Sequence, residues 1–80
     1  MSFQGEFAAV RTKLAELLSK DDPFLAERAR HATNMRELWD IMSALRSRYM
    51  HDYPCCSAAY LYLLETMPHL VELALREAGL

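Results

Sequence analysis

The chain has 80 residues, of which 52% are hydrophobic and 25% are charged, and its formal net charge is −2. A chain of this length has room for one domain, which buries only about 60–65% of the surface that the unfolded chain exposes. The composition argues against disorder, against a deep substrate cleft and against a general electrostatic attraction to nucleic acid or anionic membranes. We therefore predict a single helical domain over residues 1–80.

Cellular location is predicted from what the sequence lacks and from its cysteines. No charged segment followed by an apolar one opens the chain, and its longest apolar run is far shorter than the roughly 18–20 residues that span a bilayer. Cys55 and Cys56 are adjacent, and a disulfide between neighbours would strain the peptide that joins them. We predict a cytoplasmic protein with free thiols and no membrane segment.

Two helices are predicted in the first part of the chain, over about residues 4–19 and 23–31. Asp22 is a good N-cap and Pro23 a good first helical residue, so the second helix should begin there. The first helix carries one apolar stripe at spacings of three and four. The stripe consists of Phe3, Phe7, Val10, Leu14, Leu17 and Leu18.

A third helix is predicted over residues 35–50, as the longest of the chain. Asn34 and Glu37 have the spacing of a capping box at its start. Its end is set by Pro54, because the residue before a proline is pushed away from helical geometry. Its apolar stripe consists of Met35, Leu38, Met42, Leu45 and Tyr49, with Trp39 beside it.

The last part of the chain predicts helices over 54–66 and 67–78, or one helix kinked at Pro68, with Gly79 as the stop. The fold class is therefore an all-α compact bundle of four to five short helices. Because this last segment is apolar nearly all round, either it is the central element or its far side meets another molecule. A helical wheel turns Cys56, Tyr60, Leu63, Leu64 and Met67 to the core, with Val71, Ala74 and Ala78 continuing the stripe, and it turns Cys55, Ala58, Tyr62, Glu65 and Thr66 outward.

A candidate surface for a protein partner follows from the tyrosines, all four of which lie between positions 49 and 62. Tyr and Arg are enriched among the residues that dominate binding energies. The alternative, in which Tyr49 and Tyr60 are core residues with a hydroxyl at the rim, stays open. The predicted partner-binding residues are Arg46, Arg48, Met50, Tyr53, Ala58, Tyr62 and Glu65.

A helix-turn-helix that binds nucleic acid is one alternative, formed by residues 24–48. Arg28, Arg30 and Arg36 would then contact phosphates. The first turn of the third helix offers Met35, Glu37 and Leu38, however, where a reader of bases needs Arg, Asn or Gln. We therefore do not expect nucleic-acid binding.

A thiol or metal function of Cys55 and Cys56 is a second alternative. With His51 and Asp52 they offer ligands that zinc selects, but the other half of a closed zinc site is missing. Buried thiols that pack in the core are the simpler interpretation. We predict no metal and no cofactor.

No motif in the chain identifies a catalytic or cofactor-binding family. Our leading hypothesis is a small non-enzymatic protein–protein interaction module that binds a larger partner or its own copy, without catalytic residues or a small-molecule substrate. By analogy of size and composition alone, such modules include adaptors and the inhibitors that phages and mobile elements direct against host machinery such as CRISPR–Cas complexes.

Overall fold

The computed structural model describes residues 2–50 and 57–79, and the side chains of all of these except 48–50 and 57. These residues form four helices and no strand, so the predicted all-α bundle is confirmed. The helices are α1 (Phe3–Leu18), α2 (Pro23–Arg30), α3 (Met35–Met50) and α4 (Ser57–Glu77). The bounds of the first three lie within one residue of those predicted.

The starts of α1 and α2 are fixed by side-chain caps. The Ser2 hydroxyl accepts a hydrogen bond from the Gly5 amide at 3.1 Å. The Asp22 carboxylate accepts one from the Leu25 amide at 3.0 Å, and Pro23 is the first residue of α2. Each cap satisfies an amide that has no partner inside its helix. The predicted roles of Asp22 and Pro23 are confirmed.

The start of α3 uses the predicted capping pair in a shifted form. The Asn34 side chain accepts from the Glu37 amide at 3.0 Å, as expected. The Glu37 carboxylate reaches one residue beyond Asn34 and accepts from the Thr33 amide and the Thr33 hydroxyl, both at 3.1 Å. The connection between α2 and α3 is thereby fixed to the first turn of α3.

Arg11 ties α1 to the same connection. Its Nη1 donates to the carbonyl oxygen of Ala32 at 2.9 Å, and its guanidinium carbon lies 5.5 Å from the centre of the Phe7 ring. Both contacts use the charge of the guanidinium, one through a carbonyl and one through the face of an aromatic ring. A charged residue therefore joins two parts of the fold that are 21 positions apart in sequence.

The core is built from apolar residues of all four helices and of the α2–α3 connection. The predicted stripe of α1 is confirmed at Phe7, Val10, Leu14 and Leu18, and that of α3 at Leu38 and Leu45. The buried cluster consists of Phe7, Val10, Leu14, Ala15, Leu18, Leu25, Ala26, Ala29, Ala32, Leu38, Ile41, Leu45, Ala59, Leu63, Met67 and Leu70.

The packing of the helices leaves α4 at the surface. α1 packs mainly on α2 and α4, and α3 packs mainly on α2 and α4. The Cα positions extend over 41 × 21 × 16 Å. Because packed helices lie about 8–10 Å apart, the thinnest direction holds only two layers of helices. Leu61, Leu64, Val71 and Leu75 of α4 are 45–53% exposed, so the expectation that α4 is the central element is wrong, whereas a partner on its far side stays a prediction.

α4 is one continuous helix through Pro68, so of the two predicted alternatives a single helix is confirmed and a break at 66–67 is wrong. Its 21 residues also exceed the 16 of α3, which was expected to be the longest helix. Proline removes one helical hydrogen bond, but Met67 before it and Leu70 after it are both buried, so the core holds the two halves together. Gly79, at a φ of 80°, ends the helix as predicted. The predicted start at residue 54 lies outside the described residues.

The register of α4 also differs from the prediction. Leu63 and Met67 are buried as expected, but Leu64 and Val71, assigned to the core, are each 45% exposed. Both sides of this helix carry apolar residues at spacings of three and four, so periodicity alone does not decide which side is buried. The buried side consists of Ala59, Leu63, Met67, Leu70 and Leu73.

The start of α1 and the end of α4 are in contact. The backbone amide of Phe3, in the first turn of α1, donates to the carboxylate of Glu77, in the last turn of α4. This bond adds to the packing of α4 on α1. The first and last helical turns are therefore direct neighbours.

Candidate functional site

A second apolar stripe runs along the exposed side of α4. Its large aliphatic members keep between 45% and 53% of their surface exposed. Single exposed leucines are common on protein surfaces, whereas a continuous row of apolar residues is a feature of binding surfaces. The row, called the α4 strip below, consists of Leu61, Leu64, Pro68, Val71 and Leu75 on α4 and of Ala78 one residue past its end.

The spacing within the α4 strip is that of a helix that packs along another helix. Steps of three and four alternate without a gap from Leu61 to Ala78, which is the seven-residue repeat of a coiled-coil seam. With a rise of about 1.5 Å per residue, the strip is roughly 25 Å long. It matches a partner helix of nearly five turns.

A charged row borders the α4 strip on the side that turns towards α1. Glu65 and Glu72 belong to it, and Arg76 forms an ion pair with Glu72 one turn away, with both side chains more than half exposed. His69 marks the edge of the row, because its Nε2 lies 3.9 Å from the carboxylate of Glu6 on α1. The strip is thus flanked by two acidic side chains and one basic one.

Tyr62 lies between this charged row and α1. Its side chain is half-buried and packs against the core, and its carbonyl accepts a hydrogen bond from the Thr66 hydroxyl at 2.9 Å. Burial, and after it the negative charge of Glu6, raises the pKa of Tyr62 above its usual 10.0. The Tyr62 hydroxyl is therefore neutral at physiological pH, and much of the Tyr62 ring is packed against the core.

The predicted partner-binding residues are placed unevenly. Those on α4 lie on one flank of the helix at spacings of four and three, next to the α4 strip and not within it. Arg46 belongs to a different helix, α3. The structure places Ala58, Glu65 and Arg46 at the surface and Tyr62 half in the core, while Tyr53 and the side chains of Arg48 and Met50 lie outside the described residues.

The α4 strip was not among the surfaces predicted from the sequence. Leu61 and Leu75 were not singled out, although they are 53% and 46% exposed. The signal was present, since their spacing continues that of Leu64 and Val71. Two more large apolar side chains are exposed on other helices. These are Phe24 on α2, at 71%, and Trp39 on α3, at 54%.

A concavity of about 410 Å³ lies between α1 and α2, and both arginines that line it already have partners. Arg11 donates to the Ala32 carbonyl, and Arg30 pairs with Glu27. The concavity is therefore a groove between two packed helices. It is lined by Arg11, Thr12, Ala15, Glu16 and Arg30.

Residues 2–50 and 57–79 contain no group of three or more His, Cys, Asp or Glu side chains placed to hold a metal ion. None of the described helices combines the length and the apolar character needed to cross a bilayer. The alternative zinc site lies outside the described residues, since its members are His51, Asp52, Cys55 and Cys56.

In the part of the chain that the structure describes, the fold and the α4 strip together define an all-α bundle with an open apolar helix face. A scan against protein-family models finds no match, and searches of curated proteins and of solved structures find no similar chain.

Proposed function

We propose that this chain is a small, non-enzymatic protein–protein interaction module that binds another protein chain through the α4 strip. The observation that supports the proposal is the exposure of Leu61, Leu64, Val71 and Leu75 in one continuous row. Fully burying such a side chain stabilises by about 1.5–3 kcal/mol, so covering the exposed half yields roughly 1 kcal/mol each. A partner protein would gain this contribution on binding.

The shape and charge of the surface favour a protein over other ligands. Small molecules bind in concave pockets, whereas the α4 strip is a long, convex helix face. Nucleic acid requires a basic surface, whereas Glu65 and Glu72 border the strip. A helix of a partner protein, with its own apolar seam, has the matching form.

We do not propose nucleic-acid binding as a second function, because of the contacts of Arg36. Arg36, in the first turn of α3, lies 3.7 Å from Asp40 in an ion pair. The helix that would enter DNA thus presents a basic group beside an acidic one. The thiol or metal alternative and the narrower expectation of an inhibitor of host machinery remain predictions, the latter resting on size and composition only.

The proposal is tested by paired substitutions at exposed apolar residues. Leu64→Glu places a carboxylate in the α4 strip, and Phe24→Glu makes the same change on α2 as a control. Proteins captured from a lysate by the wild-type chain are identified by mass spectrometry, and the binding of the purified partner is measured by calorimetry. We expect Leu64→Glu to weaken binding at least about tenfold and Phe24→Glu to leave it unchanged. Equal binding of the three proteins would contradict the proposal.

A further inference from the structure

We infer that the partner covering the α4 strip is α4 of a second copy of this chain, packed in antiparallel orientation. This inference rests on the proposed function, because it names the occupant of the same surface. It follows from the pairing of the strip's apolar residues with those of the second copy and from the charged residues beside the strip.

Antiparallel pairing lets each apolar residue of the α4 strip meet another. When the two helices are related by a two-fold axis that passes between positions 69 and 70, Leu64 of one copy lies opposite Leu75 of the second. Pro68 then lies opposite Val71, and Leu61 opposite Ala78. This is the layer pattern of an antiparallel coiled coil, in which the two apolar positions of the heptad pack on each other. The symmetric contact closes, so it produces a dimer and not a filament.

The charged row beside the strip fits the same register. Arg76 of one copy comes next to Glu65 of the second copy, about 3 Å apart along the axis by the helical rise. The two-fold axis repeats this Arg76–Glu65 pair, so the dimer contains it twice. Arg76 also keeps its partner Glu72 within its own helix, so one guanidinium lies between two carboxylates and offsets their repulsion. Exposed pairs of this kind contribute at most about 1 kcal/mol each and act mainly on orientation.

The area available limits the strength of the dimer. A contact between two helices over roughly 25 Å buries an area at the lower end of specific interfaces, below about 1,200 Å² in total. Weak and transient complexes have interfaces of that size, so we expect a dissociation constant of order 10–100 µM. We therefore expect a dimer that dissociates on dilution.

The oligomeric state is measured first, by sedimentation equilibrium from about 5 to 500 µM protein, a range that brackets the expected dissociation constant. The wild-type chain and the Phe24→Glu control should pass from monomer to dimer over this range. Leu75→Glu, on the strip, should stay monomeric, with unchanged far-UV circular dichroism because Leu75 is exposed. A monomeric wild-type chain at the highest concentration, or a Leu75→Glu dimer, overturns the inference.

The register is measured by disulfide cross-linking in a chain that carries Cys55→Ser and Cys56→Ser. One sample carries Leu64→Cys, one carries Leu75→Cys, and a third is their equimolar mixture. The antiparallel register brings residue 64 next to residue 75 of the second copy, whereas like positions lie about 16 Å apart along the axis, beyond the roughly 7 Å between Cα atoms that a disulfide spans. We expect cross-linked dimers in the mixture at least about tenfold faster than in either single sample. Fast cross-links in a single sample, or none in the mixture, overturn the register.

The two experiments separate this inference from the function on which it rests. A monomeric wild-type chain that still binds a purified foreign protein, and loses it on Leu64→Glu, overturns the second copy as occupant and leaves the interaction module standing. A chain that neither dimerises nor binds any protein through the strip overturns both.

Discussion

Leu63 and Leu64 are chemically identical neighbours in α4 that differ in burial, and they provide a direct test of its register. Leu63 is fully buried, whereas Leu64 is 45% exposed. Substitution to alanine removes three carbon atoms, worth about 2.4 kcal/mol when fully buried at about 0.8 kcal/mol per group. A cavity adds to this cost at Leu63, so we expect Leu63→Ala to lower the free energy of unfolding by about 3–4 kcal/mol. Leu64→Ala loses only about half of the transfer contribution and gains helix propensity, so we expect about 1 kcal/mol.

Urea unfolding followed by circular dichroism measures both values, at low micromolar protein so that association does not contribute. For a domain of this size each kcal/mol also corresponds to roughly 4–8 °C in Tm, so the two variants should differ by about 10 °C or more. Equal losses for the two variants, or a larger loss for Leu64→Ala, would refute the register and with it the exposed α4 strip.

Two further predictions concern polar groups that hold the bundle together. Arg11→Met keeps the long side chain but leaves the buried Ala32 carbonyl without its donor, so we expect a loss of about 1–3 kcal/mol in urea unfolding, against less than about 0.5 kcal/mol for Arg36→Met at the surface. The raised pKa of Tyr62, caused by burial and then by Glu6, means that the folded state holds the phenolic proton more tightly than the unfolded state. Stability from this group is complete below about pH 10 and is lost as the pH rises through the folded pKa, so Tyr62→Phe should unfold with a shallower alkaline dependence than the wild-type chain. Parallel stability–pH curves above pH 10 would contradict this cause.

The helix starts could be predicted because they depend on local chemistry. Asp22 and Pro23 mark the start of α2, and Asn34 marks that of α3, through hydrogen bonds within three residues of each cap. Such bonds form in the same way whatever the helix later packs against. The starts of α2 and α3 could therefore be predicted from a few residues.

The register and continuity of α4 depend on packing that the sequence does not display. Leu63 and Leu64 both continue an apolar stripe, and only the positions of α1 and α3 decide which is buried. Pro68 left open a break or a single kinked helix, and Met67 and Leu70 are buried on either side of it. The gain from burying both outweighs the one hydrogen bond that proline removes.

The predicted surface and the α4 strip lie on the same helix but on different residues, and the predicted partner-binding residues stay a prediction. The tyrosines were the basis of the predicted surface, because large side chains with a polar end are common in interfaces. Tyr62 instead packs half-buried beside Glu6, a neighbour from a helix more than 50 positions away in sequence. The heptad spacing of the α4 strip from Leu61 to Leu75 is visible in the printed sequence, whereas its exposure depends on how α4 packs on α1 and α3.

The bond between the Phe3 amide and the Glu77 carboxylate has a practical consequence for engineering. Because the first and last helical turns touch, a linker of a few glycine and serine residues could join residue 79 to residue 2 and close the backbone into a ring. New termini could then be opened at Lys20 and Asp21, which lie exposed in the turn between α1 and α2. A fluorophore or a fused domain could thereby be moved to another corner of the molecule without touching its interior.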